Sequence, residues 1–163
     1  MTDASDAGNE TDALQNLLVN PGFELGASNC GSGWIDKAGV TFDLVAGRDG
    51  GHACEICAAS AIGITQHVPF SPSYPANTTF VASAWLATDP PNPAGGGQLF
   101  VSLHENDASS QFIVAPGVAD GGWLYVTNNS LPASAEVSSV DFSIEALKDG
   151  GCFLADDVSL TAL

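Results

Sequence analysis

The residues able to do chemistry in this chain are few in kind: carboxylates, three histidines, four cysteines and three tryptophans. Two carboxylates that recur on one face of a strand-like run, Asp141 and Glu145, invite a test for glycoside hydrolysis. Four residues along a strand span about 13 Å, beyond the roughly 5–9.5 Å that paired catalytic carboxylates use. No G-x-S-x-G elbow and no H-E-x-x-H pair occurs. His52, His67 and His104 are scattered, none beside a nucleophile, and a lone histidine in a strand reads first as a polar filler. No catalytic residue is assigned. What remains is recognition chemistry, in which flat aromatic rings and hydrogen-bonding side chains share a surface.

The cysteines are Cys30, Cys54, Cys57 and Cys152. An even number in an acidic β-rich chain predicts two disulfides, with three connectivities available. Cys54 and Cys57 stand three apart in HACEIC, on opposite faces of a strand, and so do not bond each other. Each is expected to pair with Cys30 or Cys152. The rival is a four-thiolate zinc site built on the C-x-x-C spacing, but Cys30 and Cys152 are solitary where a second tight pair is wanted.

The elements that must position these residues are strands. Short runs rich in Val, Phe, Thr, Ile and Trp follow one another, bounded by Gly, Pro, Asn or Asp: LLVN, GFEL, GWIDKAG, VTFDLVAG, HACEICAA, IGITQHVPF, TTFVASAWLAT, QLFVSLHE, SQFIVAP, WLYVTNNS, VSSVDFSIEAL and CFLADDVSL. No helical period and no fixed repeat interrupts them. An all-β sandwich or barrel is expected. Residues 87–98 (ATDPPNPAGGGQ) read as an exposed loop.

Alternation sorts the faces of three runs. Phe80, Ala82, Ala84 and Leu86 share one side of their strand, opposite Val81, Ser83 and Trp85. Leu99, Val101 and Leu103 face the core, opposite Gln98, Phe100, Ser102 and His104. Val140, Phe142 and Ile144 face it too, opposite Asp141, Ser143 and Glu145. If these strands share one sheet, its outer face carries Trp85, Phe100, His104, Asp141 and Glu145 together. Such a face suits a sugar ring, with its apolar C–H surface and fringe of hydroxyls, equally as it suits an ordinary solvated surface.

Composition narrows the ligand. The chain has 163 residues, one domain's worth, with 19 acids against three bases and a net charge of -16. Nothing here could neutralise a run of phosphates, so nucleic acid is excluded as a partner, and anionic membranes and charged polymers are disfavoured. Neutral ligands and cations remain. No stretch approaches the ~20 apolar residues of a membrane span. Residues 1–13 are small, polar and acidic and read as a disordered leader or linker, leaving residues 14–163 as the folded domain. An export signal upstream of this sequence is expected.

NLLVNPGFELG, Gly33-Trp34, GITQHVPF, TTFVASAWLAT, GGWLYVTNN and FLADDVSL, in this order, resemble the carbohydrate-binding modules of the family 4, 9, 16 and 22 type. The resemblance covers residues 16–160. It implies a galactose-binding-like β-jelly-roll of two antiparallel sheets, non-catalytic sugar binding on a sheet face or at the loops, and attachment to a larger enzyme or surface protein. It also implies a structural calcium held by the glutamate of NPGFE and the first aspartate of DDV, here Glu24 and Asp156. Asp156 alternates in phase with Val158 and Leu160, which predicts an inward carboxylate that is costly without a partner. The loop AGRDGGHAC offers carbonyls and Asp49 as further oxygen ligands. Trp34 and Trp123 are expected in packing roles, and Trp85 as the sugar platform, with Tyr74 and Tyr125 as contributors at a loop. A neutral glycan bound with micromolar to millimolar affinity, roughly -8 to -4 kcal/mol, is the expected ligand. The alternative is a structural, adhesion or assembly module of an extracellular surface protein without a glycan.

Overall fold

The computed structural model describes residues 14–25, 30–36, 38–88, 96–106, 109–117, 122–147 and 150–163. Residues 1–13 and residues 89–95 of the breaker-rich segment lie outside them; the ends of that segment are not loop as expected, since Ala87 and Thr88 are buried in β5 and Gly97 and Gln98 open β6. Among the described residues ten strands form: β1 (Ile35–Asp36), β2 (Val40–Ala46), β3 (His52–Ala58), β4 (Gly63–Tyr74), β5 (Thr79–Thr88), β6 (Gly97–Glu105), β7 (Ser109–Gly117), β8 (Leu124–Pro132), β9 (Val137–Ala146) and β10 (Gly151–Ala162). They pair antiparallel into a first sheet, ordered β1-β4-β9-β6-β7, and a second, ordered β2-β3-β10-β5-β8. Because the chain crosses repeatedly between the sheets, neighbours within a sheet are mostly distant in sequence. The result is the expected β-jelly-roll sandwich.

Alternation sets the core as read. Leu99, Val101 and Leu103 of β6 and Val140, Phe142 and Ile144 of β9 are fully buried, and they meet Phe80, Ala82, Ala84 and Leu86 of β5 from the other sheet. Each large apolar side chain removed from water contributes roughly 1.5–3 kcal/mol. Trp34 joins this core, its ring 5.5 Å from that of Phe23 and 6.1 Å from that of Phe142. Its indole N–H donates to the carbonyl of Asn20 at 3.3 Å.

Both disulfides form, joining Cys30 to Cys54 and Cys57 to Cys152. Cys54 is buried on the inner side of β3, opposite Leu44, and Cys57 stands on the outer side directly across from Cys152 of β10. The opposite faces expected for this pair explain why each finds a different partner.

Two expectations about the chain ends change. LLVN and GFEL are not strands. Asn20 and Phe23 both adopt positive φ, 51° and 57°, so the backbone turns sharply instead of extending. Asn20 secures this turn, accepting the Leu25 N–H at 2.8 Å and donating to the carbonyls of Leu25 and Cys30. Phe23 is thereby driven into the core with no exposed surface. The first segment still lies along the last strand: Leu17 N–H donates to the Leu160 carbonyl at 2.8 Å, and Val158 N–H to the Pro21 carbonyl at 2.9 Å. Asn16 extends the contact through its side chain, donating to the Val158 carbonyl and accepting the Leu160 N–H.

The second change concerns Asp156. Its register partner is Trp85, one position beyond the inward pair Ala155 and Leu86, so Asp156 belongs to the outer side of the second sheet. A bulge follows at Asp157, where φ is 45°, and resets the phase so that Val158 and Leu160 point inward. Asp156 is buried nonetheless, under the loop between β2 and β3.

Candidate functional site

On the outer face of the first sheet, three adjacent strands align their polar positions in rows. Register sets Gln98, Glu145 and Gly63 side by side, then Phe100, Ser143 and Thr65, then Ser102, Asp141 and His67, with His104 level with Ser139. Successive rows are about 7 Å apart, so Phe100 and His104 are separated by about 13 Å along β6. The small side chains in the middle of this face are covered by their larger neighbours: Ser102 is 8 % exposed and Ser143 3 %, although both lie opposite the core positions of their strands. The Thr65 and Ser143 hydroxyls are hydrogen-bonded at 2.8 Å. Phe100 is half-buried among these groups, leaving one apolar surface open between hydroxyls.

Asp141 is the polar centre of the face. Its Oδ1 lies 2.7 Å from His67 Nδ1 and its Oδ2 2.7 Å from His104 Nε2. Partial burial pushes its carboxyl upward, but the hydrogen bonds from His67 and then His104 outweigh this and hold it below the ordinary aspartate value. His67 is the residue sequence reasoning missed. Its alternation with Thr65, against buried Ile64 and Gln66, was the signal that places it on this face. Glu145 is only 9 % exposed and is withdrawn from the surface that Asp141 presents.

Trp85 is not on this face. It lies in β5 of the second sheet, on the opposite outer surface of the sandwich, so the five residues assembled by alternation divide between two faces. The alternation was right for each strand, but nothing in it said which strands share a sheet. Trp85 is half-buried, its ring 5.2 Å from that of Tyr125. The Arg48 guanidinium carbon sits 4.4 Å above the indole. Arg48 is held there by an ion pair with Asp157 at 2.6 Å. Tyr74 packs into the sandwich end against Phe70 and Phe80, at 4.7 and 5.5 Å.

The carboxylates expected to bind calcium gather around the β2–β3 loop. Asp156 is 2 % exposed; its Oδ2 accepts the Arg48 N–H at 3.0 Å and its Oδ1 the Asp157 N–H at 2.8 Å. Burial pushes its carboxyl above the usual aspartate value, against the pull of these two N–H groups. Glu24 reaches the same loop, accepting the His52 N–H at 2.7 Å and meeting the His52 ring at 2.8 Å. The His52 N–H, and after it the imidazole, holds Glu24 below the ordinary glutamate value. Asp49 accepts the Gly51 N–H at 3.1 Å. At Gly51 any side chain would collide with Glu24 Oε1, so glycine there keeps the approach of this carboxylate open. Asp49 of the loop, Glu24 of the opening turn and Asp156 of β10 are hard oxygen donors of the kind calcium takes, and each oxygen that accepts one N–H has a further lone pair.

No family model and no curated protein sequence matches the chain. Solved structures do. A family 16 carbohydrate-binding module is similar at 25 % identity and TM-score 0.67, covering 90 % of this chain and 99 % of that one. The CBM22-1 xylan-binding domain from Paenibacillus barcinonensis Xyn10C is similar at 16 % identity and TM-score 0.64, covering 86 % and 90 %. The Clostridium thermocellum xylanase 10B CBM22-1–GH10 modules complexed with xylohexaose match at 17 % identity and TM-score 0.63, covering 86 % of this chain and 27 % of that one. In strand content, two-sheet architecture and extent, this chain has the jelly-roll fold of the carbohydrate-binding modules of families 16 and 22.

Proposed function

We propose that the chain is a non-catalytic module that binds a neutral oligosaccharide or polysaccharide on the outer face of the first sheet. The observation that carries this is the arrangement in successive rows, in which Phe100 offers an apolar ring one row from Ser102, Asp141 and His67, with His104 a further row along. A sugar would stack a C–H face on Phe100 and exchange hydrogen bonds with the Asp141 carboxylate and the flanking hydroxyls. The net charge of -16 would repel uronic or sulfated chains, which favours a neutral glycan. Two disulfides favour an oxidising, extracellular setting, and the similar modules from xylan-binding proteins favour attachment to a larger enzyme or surface protein.

Calcium stapling belongs to the same proposal. Glu24, Asp49 and Asp156, with carbonyls of the β2–β3 loop, would hold the ion, which when bound supplies positive charge among these carboxylates. The residues themselves tie the NPGFE turn, the loop and the β10 bulge to one another.

Affinity electrophoresis against xylan, β-glucan, mannan and soluble cellulose tests the reading, with Phe100→Ala and Trp85→Ala alongside. Retardation lost in Phe100→Ala and kept in Trp85→Ala is expected. The covered state of Trp85 under Arg48 favours a structural or adhesion module as the second reading. A folded protein retarded by no glycan would favour that alternative.

A further inference from the structure

We propose that His67, His104 and Asp141 form a binding site for a borderline divalent transition ion, Zn2+ being the representative, on the open face of the first sheet. The three residues come from three neighbouring strands, β4, β6 and β9, and the register explains why they converge. His67 is directly opposite Asp141, and His104 is its diagonal neighbour, one row along. Cross-strand pairs of both kinds lie within reach of long side chains. One ring nitrogen of His67, one of His104 and one Asp141 oxygen all lie within 4.8 Å of one another. Ligand atoms about 2.0–2.2 Å from one tetrahedral zinc ion stand roughly 3.3 Å apart, so small ring rotations bring these atoms to a common centre.

The donor set decides the kind of ion. Two imidazole nitrogens and one carboxylate oxygen suit zinc, copper or nickel, whereas calcium and magnesium require an oxygen cage. The cluster is therefore chemically distinct from the Glu24, Asp49 and Asp156 group on the β2–β3 loop. Its side chains are 53 %, 37 % and 35 % exposed for His67, His104 and Asp141, so remaining coordination positions face solvent, as in open three-ligand sites. The central strands of a disulfide-bonded sandwich hold the three Cα atoms in place, and the strongly negative chain attracts a cation. In the absence of an ion the same three groups satisfy one another by hydrogen bonding. This site does not depend on the carbohydrate reading: glycan retardation measured in excess calcium with no zinc added tests that reading alone.

The test is titration of the full chain with ZnCl2 after chelator treatment, followed by calorimetry and by NMR of the histidine ring nitrogens. The sequence contains only three histidines, so each ring is separately readable. One zinc per chain is expected, with the ring signals of His67 and His104 shifting together while His52 stays unmoved, and with excess calcium failing to displace the ion. His67→Gln and His104→Gln should each weaken binding at least about tenfold, and His52→Gln should leave it unchanged. Ring signals that do not move, or a shift confined to His52, overturn the proposal. If a variant fails to fold, the wild-type ring shifts alone decide.

Discussion

The Cys57–Cys152 disulfide carries a stability contribution that follows from topology. It ties β3 to β10 across a sequence separation of 95, while Cys30–Cys54 spans 24 and shares no residue with it. Closing a loop of that length removes roughly 4 to 5 kcal/mol of chain entropy from the unfolded state. Both of its cysteines are half-buried, so the paired change Cys57→Ala with Cys152→Ala adds little packing loss, whereas Cys30 and Cys54 are wholly buried. For a domain of this size each kcal/mol moves the melting temperature by about 2–4 °C. The double variant should therefore melt about 8–20 °C below the parent. Urea denaturation followed by tryptophan fluorescence measures it directly. The slope should rise as well, because an unfolded chain freed of its longest cross-link exposes more surface. A loss below about 1 kcal/mol with an unchanged slope would mean that this cross-link does not restrict the unfolded chain.

Further outcomes follow from the same geometry. Phe23→Ala empties a site with no exposed surface beneath Trp34 and should cost about 3–5 kcal/mol in urea denaturation. Gly63→Ala places a methyl group against the Ile144 carbonyl of the adjoining strand; a loss of about 1–3 kcal/mol, with faster amide exchange in β4 and β9, is expected. Calcium at about a hundred times its dissociation constant should add roughly 2.7 kcal/mol, seen as a melting temperature that falls on addition of a calcium chelator, and Glu24→Gln should abolish that dependence. Arg48→Ala should uncover the Trp85 indole, detected as a red-shifted emission and greater quenching by acrylamide, without altering glycan retardation.

Much of the fold was legible because alternation is a local property. The inner faces of β5, β6 and β9 follow from the positions of Phe80, Leu99 and Val140 alone, and the disulfide logic from the three-residue spacing of Cys54 and Cys57. The candidate site was harder, since it depends on which strands become neighbours. Trp85 and Phe100 both stand opposite a core stripe, yet the jelly-roll crossover sends β5 and β6 to different sheets. His67 looked isolated until the β4–β9 register set it across from Asp141. Nor did periodicity foresee the two backbone irregularities near the ends. Asn20 and Phe23 turn where an extended strand was expected, and the bulge at Asp157 turns Asp156 outward beneath a loop. The carboxylates of the opening and closing motifs sit where these irregularities interrupt regular pairing, and so they meet at one loop.

Binding of a neutral glycan on the outer face of the first sheet is open to direct measurement. Titration calorimetry with a xylo-oligosaccharide, a cello-oligosaccharide and a manno-oligosaccharide, on the parent and on Phe100→Ala, tests it most directly. Saturable binding of at least one ligand, in the micromolar to millimolar range, is expected, and Phe100→Ala should abolish it while the variant stays folded. Binding that survives Phe100→Ala, or that only Trp85→Ala removes, would contradict the assignment of this face.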